Sequence, residues 1–140
     1  MDKSKWVISA IVLVIPLFLA NFAVAKGPVG ATPEATIETL LQAGLDQSFD
    51  AYLAVLLPSE RENPQQIAQR KSFDWKRFKD QATWYVESNK AASFKITKRE
   101  PSGTDKLKIF LKDLKHPARM PVPLQLVKEK DRWWVKSQAL

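Results

Sequence analysis

The fold is decided by the C-terminal stretch of the chain, residues 120–140, which reads MPVPLQLVKEKDRWWVKSQAL. Apolar residues occupy every second position from Val122 to Leu126, the spacing of a strand that is buried on one face. The polar pair Lys130-Asp131 fits a tight turn, and a second alternating run, Arg132–Lys136, follows it. This stretch predicts the closing hairpin of a curved antiparallel sheet.

Two earlier runs with the same period extend the predicted sheet. Residues 92–97 and 106–112 each alternate apolar with polar side chains, and the turn-forming residues 101–105 separate them. The strand that starts the closing hairpin contains Pro121 and Pro123, which cannot donate a backbone hydrogen bond. We therefore expect that strand to begin at an edge or a bulge of a four-strand meander.

The last strand carries two adjacent tryptophans, which must point to opposite faces of the sheet. Strand alternation predicts that Trp133 and Val135 face inward. Trp134 and Lys136 then face outward.

The residues before the sheet show helical spacing instead. Capping residues or helix-initiating prolines mark three starts, at Thr32-Pro33, Ser48 and Asn63-Pro64. Pro58 should end the second helix, and the third segment, up to Val86, should form either one helical piece or two pieces that meet near Ser72. Residues 32–140 are thus predicted to form a single α+β domain, with N-terminal helices packed in the concave side of the sheet.

The first 25 residues have the pattern of a signal peptide. Lys3 and Lys5 precede an apolar stretch, Trp6–Phe22, and Ala23–Ala25 offers a small-x-small cleavage site. Residues 26–31 then form a linker. We expect an exported protein, periplasmic or extracellular after cleavage near Ala25; the alternative is an inner-membrane anchor formed by residues 6–25.

The amino-acid composition excludes several kinds of catalytic and metal-binding site. The chain has no cysteine, which excludes a disulfide, a thiolate nucleophile and a cysteine zinc site. We find no Ser/His/Asp arrangement, metal-ligand cluster or glycine-rich phosphate loop, so we predict no metal and no cofactor. The net charge of +7 suits an anionic partner. Nucleic acid is not expected, because an exported protein seldom meets it and no recognition motif is present.

The order of elements and the closing pattern from Val127 to Val135 resemble the nuclear-transport-factor-two-like superfamily, which includes SnoaL-like and ketosteroid-isomerase-like domains. The resemblance covers about residues 32–139. It implies a strongly curved sheet wrapped around a helix to form a cone. Enzymes of that superfamily, such as ketosteroid isomerases and polyketide cyclases, place an Asp, a Tyr or a His inside the cone to move a proton.

Three residues are candidates for such proton transfer, and each has a simpler explanation. His116, the single histidine, lies in a loop predicted to join two strands, where solvation accounts for it. Asp46 and Asp50 are four residues apart and could share a helical face, but helix capping explains them as well. A proton-transfer enzyme (isomerase, cyclase or dehydratase) is therefore the alternative hypothesis.

The main hypothesis is a non-catalytic binding or accessory domain for a small apolar ligand or a protein partner. An open cone would favour the ligand, and a filled cone would favour the protein. A third hypothesis is a membrane-anchored component of a cell-envelope assembly. The residues predicted to line the cone are Phe49, Tyr52, Trp75, Phe78, Trp84, Phe94 and Trp133.

The basic residues are concentrated in the sheet. Strand alternation predicts that they project from its outer face, interleaved with Phe110, Val127 and Trp134. Such a face suits either an anionic envelope surface or protein partner, or a homodimer contact through the aromatic residues, with the charges solvated. The predicted basic outer face consists of Lys95, Arg99, Lys106, Lys108, Lys112 and Lys136.

Overall fold

The structure is a computed structural model that describes residues 29–87, 89 and 91–140. The predicted signal peptide, residues 1–25, and the first half of the linker, residues 26–28, lie outside these residues. Within them, no helix combines the length and the apolar character needed to cross a membrane. Helices precede a four-stranded antiparallel sheet, so the predicted α+β architecture is confirmed.

The helical layer begins where the capping residues predict. The elements are α1 (Pro33–Leu45), α2 (Phe49–Val55), a 3-10 turn (Pro58–Arg61), α3 (Pro64–Gln69), a π-helical turn (Arg70–Asp74) and α4 (Trp75–Ala82). The Thr32 hydroxyl accepts a hydrogen bond from the Ala35 N–H at 3.1 Å. Ser48 caps α2 and Asn63 caps α3 in the same way. These bonds satisfy N–H groups that have no partner within the helix.

Of the two possibilities for the third segment, one helical piece or two, the structure has one continuous path with a π-helical turn around Ser72. The segment ends at Ala82 rather than at Val86. The backbone keeps right-handed helical angles at Gln69, at Arg70 and at Trp75, so α3, the π-helical turn and α4 continue one into the next. A π-helical turn widens the helix without interrupting it. The apolar spacing changes at this point because the turn rotates the side chains that follow.

The sheet is the predicted meander. Its strands are β1 (Phe94–Ser102), β2 (Lys106–Asp113), β3 (Val122–Glu129) and β4 (Arg132–Gln138), hydrogen-bonded in the order β1-β2-β3-β4. The β3–β4 turn uses Lys130 at φ 50° and Asp131 at φ 60°. Two successive positive φ angles suit a tight hairpin, because their twist matches that of the strands.

The start of β3 lies at an edge of the sheet, as its prolines predict. Pro123 is opposite Phe110 of β2, whereas the ladder to β4 begins only at Leu124, opposite Gln138. Pro123 therefore lies beyond the end of the β3–β4 ladder.

The helices cover one face of the sheet, and the core lies between the two layers. Its fully buried side chains come from α1, α2 and α4 and from the inner positions of β2, β3 and β4. Ile109, Leu111, Leu124 and Val135 are all 0% exposed. Burial of such side chains is the main stabilising contribution in a domain of this size.

A bulge in β1 corrects the predicted outer face. The pairing with β2 shifts between Ile96 and Lys98, so that Arg99 is opposite the buried Ile109. Arg99 consequently lies on the helix side of the sheet, where it forms an ion pair with Glu34 of α1. Lys98, opposite Phe110, takes its place on the outer face.

Candidate functional site

The aromatic residues predicted to surround a cone divide into groups, and four of them pack against one another. Ring centroids are 5.1 Å apart for Tyr52 and Phe78, and 5.2 Å apart for Tyr52 and Trp75. Phe49 lies 5.7 Å from Trp75. Tyr52 and Phe78 are 0% exposed. These four rings fill the space between α2 and α4 with contacts typical of a packed core.

The other three predicted residues lie elsewhere around the same core. Trp84 contacts the loop after β2, with its ring 5.4 Å from that of His116. The Trp133 carbonyl accepts a hydrogen bond from the Thr36 hydroxyl at 3.2 Å, which ties β4 to α1. Phe94 begins β1 and is half-buried. The seven residues are thus core residues of several elements.

A polar notch of about 270 Å³ opens beside Tyr52, where α2, the 3-10 turn and the π-helical turn face β4. Charged and polar side chains make up most of its wall. The lining residues are Tyr52, Leu56, Glu60, Arg70, Asp74, Lys136, Ser137 and Gln138.

Two irregularities of the backbone bring these side chains together. The π-helical turn spans Arg70–Asp74 and so supplies both of its end residues to the notch. On the facing strand, the pairing of β3 with β4 shifts between Gln125 and Leu126, which leaves Lys136 as the extra residue of a bulge. π-helical turns and β-bulges are both frequent at functional sites, because each redirects a side chain that a regular element would place elsewhere.

The notch is balanced in charge. Arg70 donates from Nη2 to Glu60 Oε2 at 2.6 Å, and its Nη1 lies 3.8 Å from Asp74 Oδ2. Lys136 adds a second positive charge from the sheet side. Two cations and two carboxylates therefore share one small opening.

Two polar atoms of the notch residues lack a partner. The Tyr52 hydroxyl and Arg70 Nε are both buried, and in the described part of the chain neither forms a hydrogen bond of normal geometry. Burial raises the pKa of Tyr52 above its ordinary value of 10.0, and weaker side-chain hydrogen bonding from Gln138 and Arg70 opposes that rise. A buried polar atom without a partner is costly, and it is a position where a bound ligand can supply the missing hydrogen bond.

His116 has a partner that the sequence did not reveal. Its Nδ1 lies 2.6 Å from Oδ2 of Asp113, which is only 1% exposed. The other oxygen of Asp113 accepts hydrogen bonds from the backbone N–H groups of Lys115 and His116. The guanidinium of Arg119 stacks 3.8 Å from the Trp84 ring centroid beside them. The carboxylate could orient the imidazole for proton transfer, but its two backbone bonds are those of a residue that anchors a loop.

Asp46 and Asp50 lie at the surface. Asp46 ends α1 and accepts a hydrogen bond from the Gln42 side chain at 2.8 Å. Asp50 is exposed in the first turn of α2, where a negative charge interacts favourably with the helix dipole. Neither residue lines the polar notch. The simpler explanation, capping and solvation, accounts for both positions.

The outer face of the sheet contains a second opening, a basic groove of about 320 Å³. Lys106, Lys108 and Lys136 line it together with Glu100 and the apolar Val127. Lys98 covers the Phe110 ring nearby, 5.8 Å from its centroid. The guanidinium groups of Arg61 and Arg132 lie 5.3 Å and 4.5 Å from the centroid of the Trp134 ring. Cations thus lie against both aromatic side chains on this face.

The sequence predicted only some of the residues that line the polar notch. Tyr52 was predicted to line a pocket, whereas Arg70, Glu60 and Gln138 were not singled out. These residues come from separate elements, and no spacing along the chain connects them. The proline-marked helix starts indicate where the helices turn, but they do not show which polar side chains meet there.

Among residues 29–87, 89 and 91–140, no group of three or more His, Asp or Glu side chains could hold a metal ion. No protein-family model matches the chain, and no curated protein matches it. Among solved structures, the solution structure of a SEC-C motif containing protein from Rhodopseudomonas palustris is similar. The two chains share 15% sequence identity over 82% of this chain and 83% of that chain, with a TM-score of 0.48.

Proposed function

We propose that the chain is an exported, non-catalytic binding domain whose basic outer face takes an acidic segment of a protein partner. The proposal rests chiefly on the packed aromatic interior, where Tyr52 and Phe78 are 0% exposed. An interior filled by its own side chains has no room for an apolar ligand. Binding must then take place at the surface. Export is supported by the signal-peptide pattern of the first 25 residues.

The charge of the outer face favours an anionic partner. Its strand positions carry six Lys or Arg residues opposed by two acidic ones, Glu100 and Glu129. Glu100 is already paired with Lys98 at 2.5 Å. Uncompensated positive charge of this density attracts an acidic partner and accelerates its association. The six are Lys95, Lys98, Lys106, Lys108, Lys112 and Arg132.

The same charge argues against the homodimer that we considered from the sequence. A twofold axis would bring two copies of the face together, so that lysines would face lysines. Like charges placed across an interface cost several kcal/mol. The aromatic residues of the face also lie beside cations of their own chain, which makes them less available for a contact between copies.

A segment of polypeptide suits the face better than a membrane does. A membrane-binding surface presents exposed apolar side chains that enter the headgroup region. In the described part of the chain, the exposed large apolar side chains all lie outside the four strands. The outer face instead offers the basic groove, whose lysines can follow an extended acidic chain. The exposed apolar residues are Val29, Phe73, Leu114 and Met120.

The test is binding of a fluorescein-labelled peptide of about a dozen glutamates, followed by fluorescence anisotropy at low and high salt. Salt should weaken binding, because ionic strength screens charges at a surface. Reversing two groove charges with Lys106→Glu and Lys108→Glu should weaken binding by about tenfold at low salt. The matched control is Lys76→Glu with Lys79→Glu on α4, which changes the total charge equally.

If the groove variant and the α4 variant lost equal peptide affinity, binding would depend only on the total charge of the protein. That result would contradict a binding site on the outer face. Vesicles containing phosphatidylglycerol form a second arm of the experiment. Binding to vesicles without binding to the peptide would replace the protein partner with a membrane. Sedimentation velocity should show a monomer, and a dimer abolished by Phe110→Ser would restore the homodimer hypothesis.

A further inference from the structure

Independently of the partner on the outer face, we propose that the polar notch beside Tyr52 is a binding site for a small zwitterion of the amino-acid class. The notch is lined by the helical layer and the end of β4, whereas the basic groove is lined by β1, β2 and β3; Lys136 is shared between the two.

Two polar atoms of the notch are poorly satisfied. Among the described residues, the Tyr52 hydroxyl and Arg70 Nε–H form no hydrogen bond of normal geometry, although the Gln138 and Arg70 side chains lie close to the hydroxyl. Tyr52 is 0% exposed, so its hydroxyl has lost its contact with bulk water as well. Both residues line the same opening. A ligand that brings an acceptor oxygen to this position satisfies donors that are otherwise left without a bond.

The wall of the notch carries charges of both signs. A guanidinium and a lysine ammonium favour a carboxylate on the ligand, since charge-assisted hydrogen bonds are the stronger ones. Glu60 and Asp74 in the same wall would repel a simple anion, and they offer a position for an ammonium group. Asp74 is the less engaged of the two, because it lies 3.8 Å from Arg70 whereas Glu60 lies at 2.6 Å. A ligand with both charges matches the wall; a ligand with one does not.

The notch is also small. The volume of about 270 Å³ is below the range of roughly 300–1,000 Å³ that is usual for drug-sized ligands. A free amino acid or a molecule of similar length fits such an opening. The π-helical turn and the β-bulge that form its two sides are irregularities of the kind found at ligand sites.

The first experiment records the Arg70 Nε–Hε signal by nuclear magnetic resonance in the full chain during titration with three probes. L-Alanine carries both charges, acetate only the negative one and ethylammonium only the positive one. We expect L-alanine to shift the signal to saturation, with an affinity about tenfold or more above that of either single-charge probe. No saturable shift with L-alanine, or an equal affinity for acetate, overturns the proposal.

The second experiment compares two tyrosines. Tyr52→Phe removes the unpaired hydroxyl and keeps the ring in the core, while Tyr85→Phe makes the same change at a buried tyrosine outside the notch. We expect Tyr52→Phe to weaken L-alanine binding by about fivefold or more. The melting temperature of the unliganded variant should stay unchanged or rise, because a buried group without a partner is lost. Tyr85→Phe should leave the affinity unchanged.

Equal affinity of Tyr52→Phe and the unaltered protein would overturn the role of the hydroxyl. The groove variant with Lys106→Glu and Lys108→Glu separates this proposal from the previous one, since it should weaken peptide binding by about tenfold at low salt and leave L-alanine binding intact. Loss of L-alanine binding in that variant would contradict an independent site.

Discussion

Gly44 shows how one residue sets the distance between two helices. Its position near the end of α1 suggests only a weak helix, since glycine costs about 1 kcal/mol relative to alanine in a helix interior. In the structure, a Cβ atom at this position would lie 2.5 Å from Ala82 Cβ and 2.9 Å from Phe78 Cε1. The absence of a side chain is what allows α1 to pack against α4.

Gly44→Ala should therefore destabilise the protein by about 1–3 kcal/mol, because the overpacking outweighs the gain in helix propensity. Urea denaturation followed by circular dichroism measures the change. Adding Ala82→Gly removes the shorter of the two contacts and should recover part of the loss, since neighbouring substitutions are coupled. A stabilised Gly44→Ala variant would show that helix propensity dominates and that the helices can separate without cost.

Single residues also mark how far the sequence could predict the site. Thr32 and Ser48 were identified as helix caps because capping depends on neighbours three positions away. Arg70 and Gln138 were missed because their meeting depends on how a π-helical turn rotates one side chain toward a distant strand. His116 was judged a solvated loop residue, and its bond to Asp113 was not anticipated, although Asp113 is only three positions away.

At the scale of elements, the alternation of apolar and polar residues predicted the strands but not the β-bulges within them. The period-two pattern located all four strands and their order, although it ended the first strand at residue 97 and assigned residues 101–105 to a turn, whereas β1 runs from Phe94 to Ser102. It also placed Arg99 beside Lys95 on the outer face, which is wrong because the bulge at Ile96/Lys98 inverts every later side chain of β1. A bulge adds one residue without changing the apolar pattern enough to be noticed. Register shifts of this kind need the partner strand to be known.

The connection from β2 to β3 depends on Asp113, and we expect Asp113→Ala to loosen it. The variant deprives the Lys115 and His116 amides of their acceptor and removes the contact with the imidazole. Leaving such groups without partners should cost about 1–3 kcal/mol. Hydrogen exchange at Lys115 and His116 should accelerate. Asp80→Ala, at an exposed position of α4, is the matched control. Unchanged exchange in Asp113→Ala would show that the loop is held by other contacts.

At the scale of the whole molecule, the sequence predicted two layers but not what fills the space between them. The aromatic residues of α2 and α4 were expected inward, and they are inward. Whether they line a cavity or close it depends on ring orientations, such as the 45° between Tyr52 and Trp75, which composition does not determine. The same holds for charge. The sequence predicted that the sheet is basic, but the β-bulges determine which Lys and Arg side chains lie on the same face.

The filled interior leads to a prediction for alkaline pH, because the chain has two tyrosines and both lie in the core. Tyr52 is 0% exposed and Tyr85 is 1% exposed. Burial raises the pKa of each above its ordinary value of 10.0. The folded state therefore keeps its phenol protons at a pH where the unfolded chain releases them, so stability is full below about pH 10 and falls as pH rises further. Tyrosinate absorbance near 295 nm should appear together with the loss of far-ultraviolet circular dichroism, since the unfolded chain releases its phenol protons at a lower pH than the folded state does. Tyrosinate absorbance that rises with a simple titration curve while the dichroism is still native would show that water reaches the phenols and that the core between the layers is open.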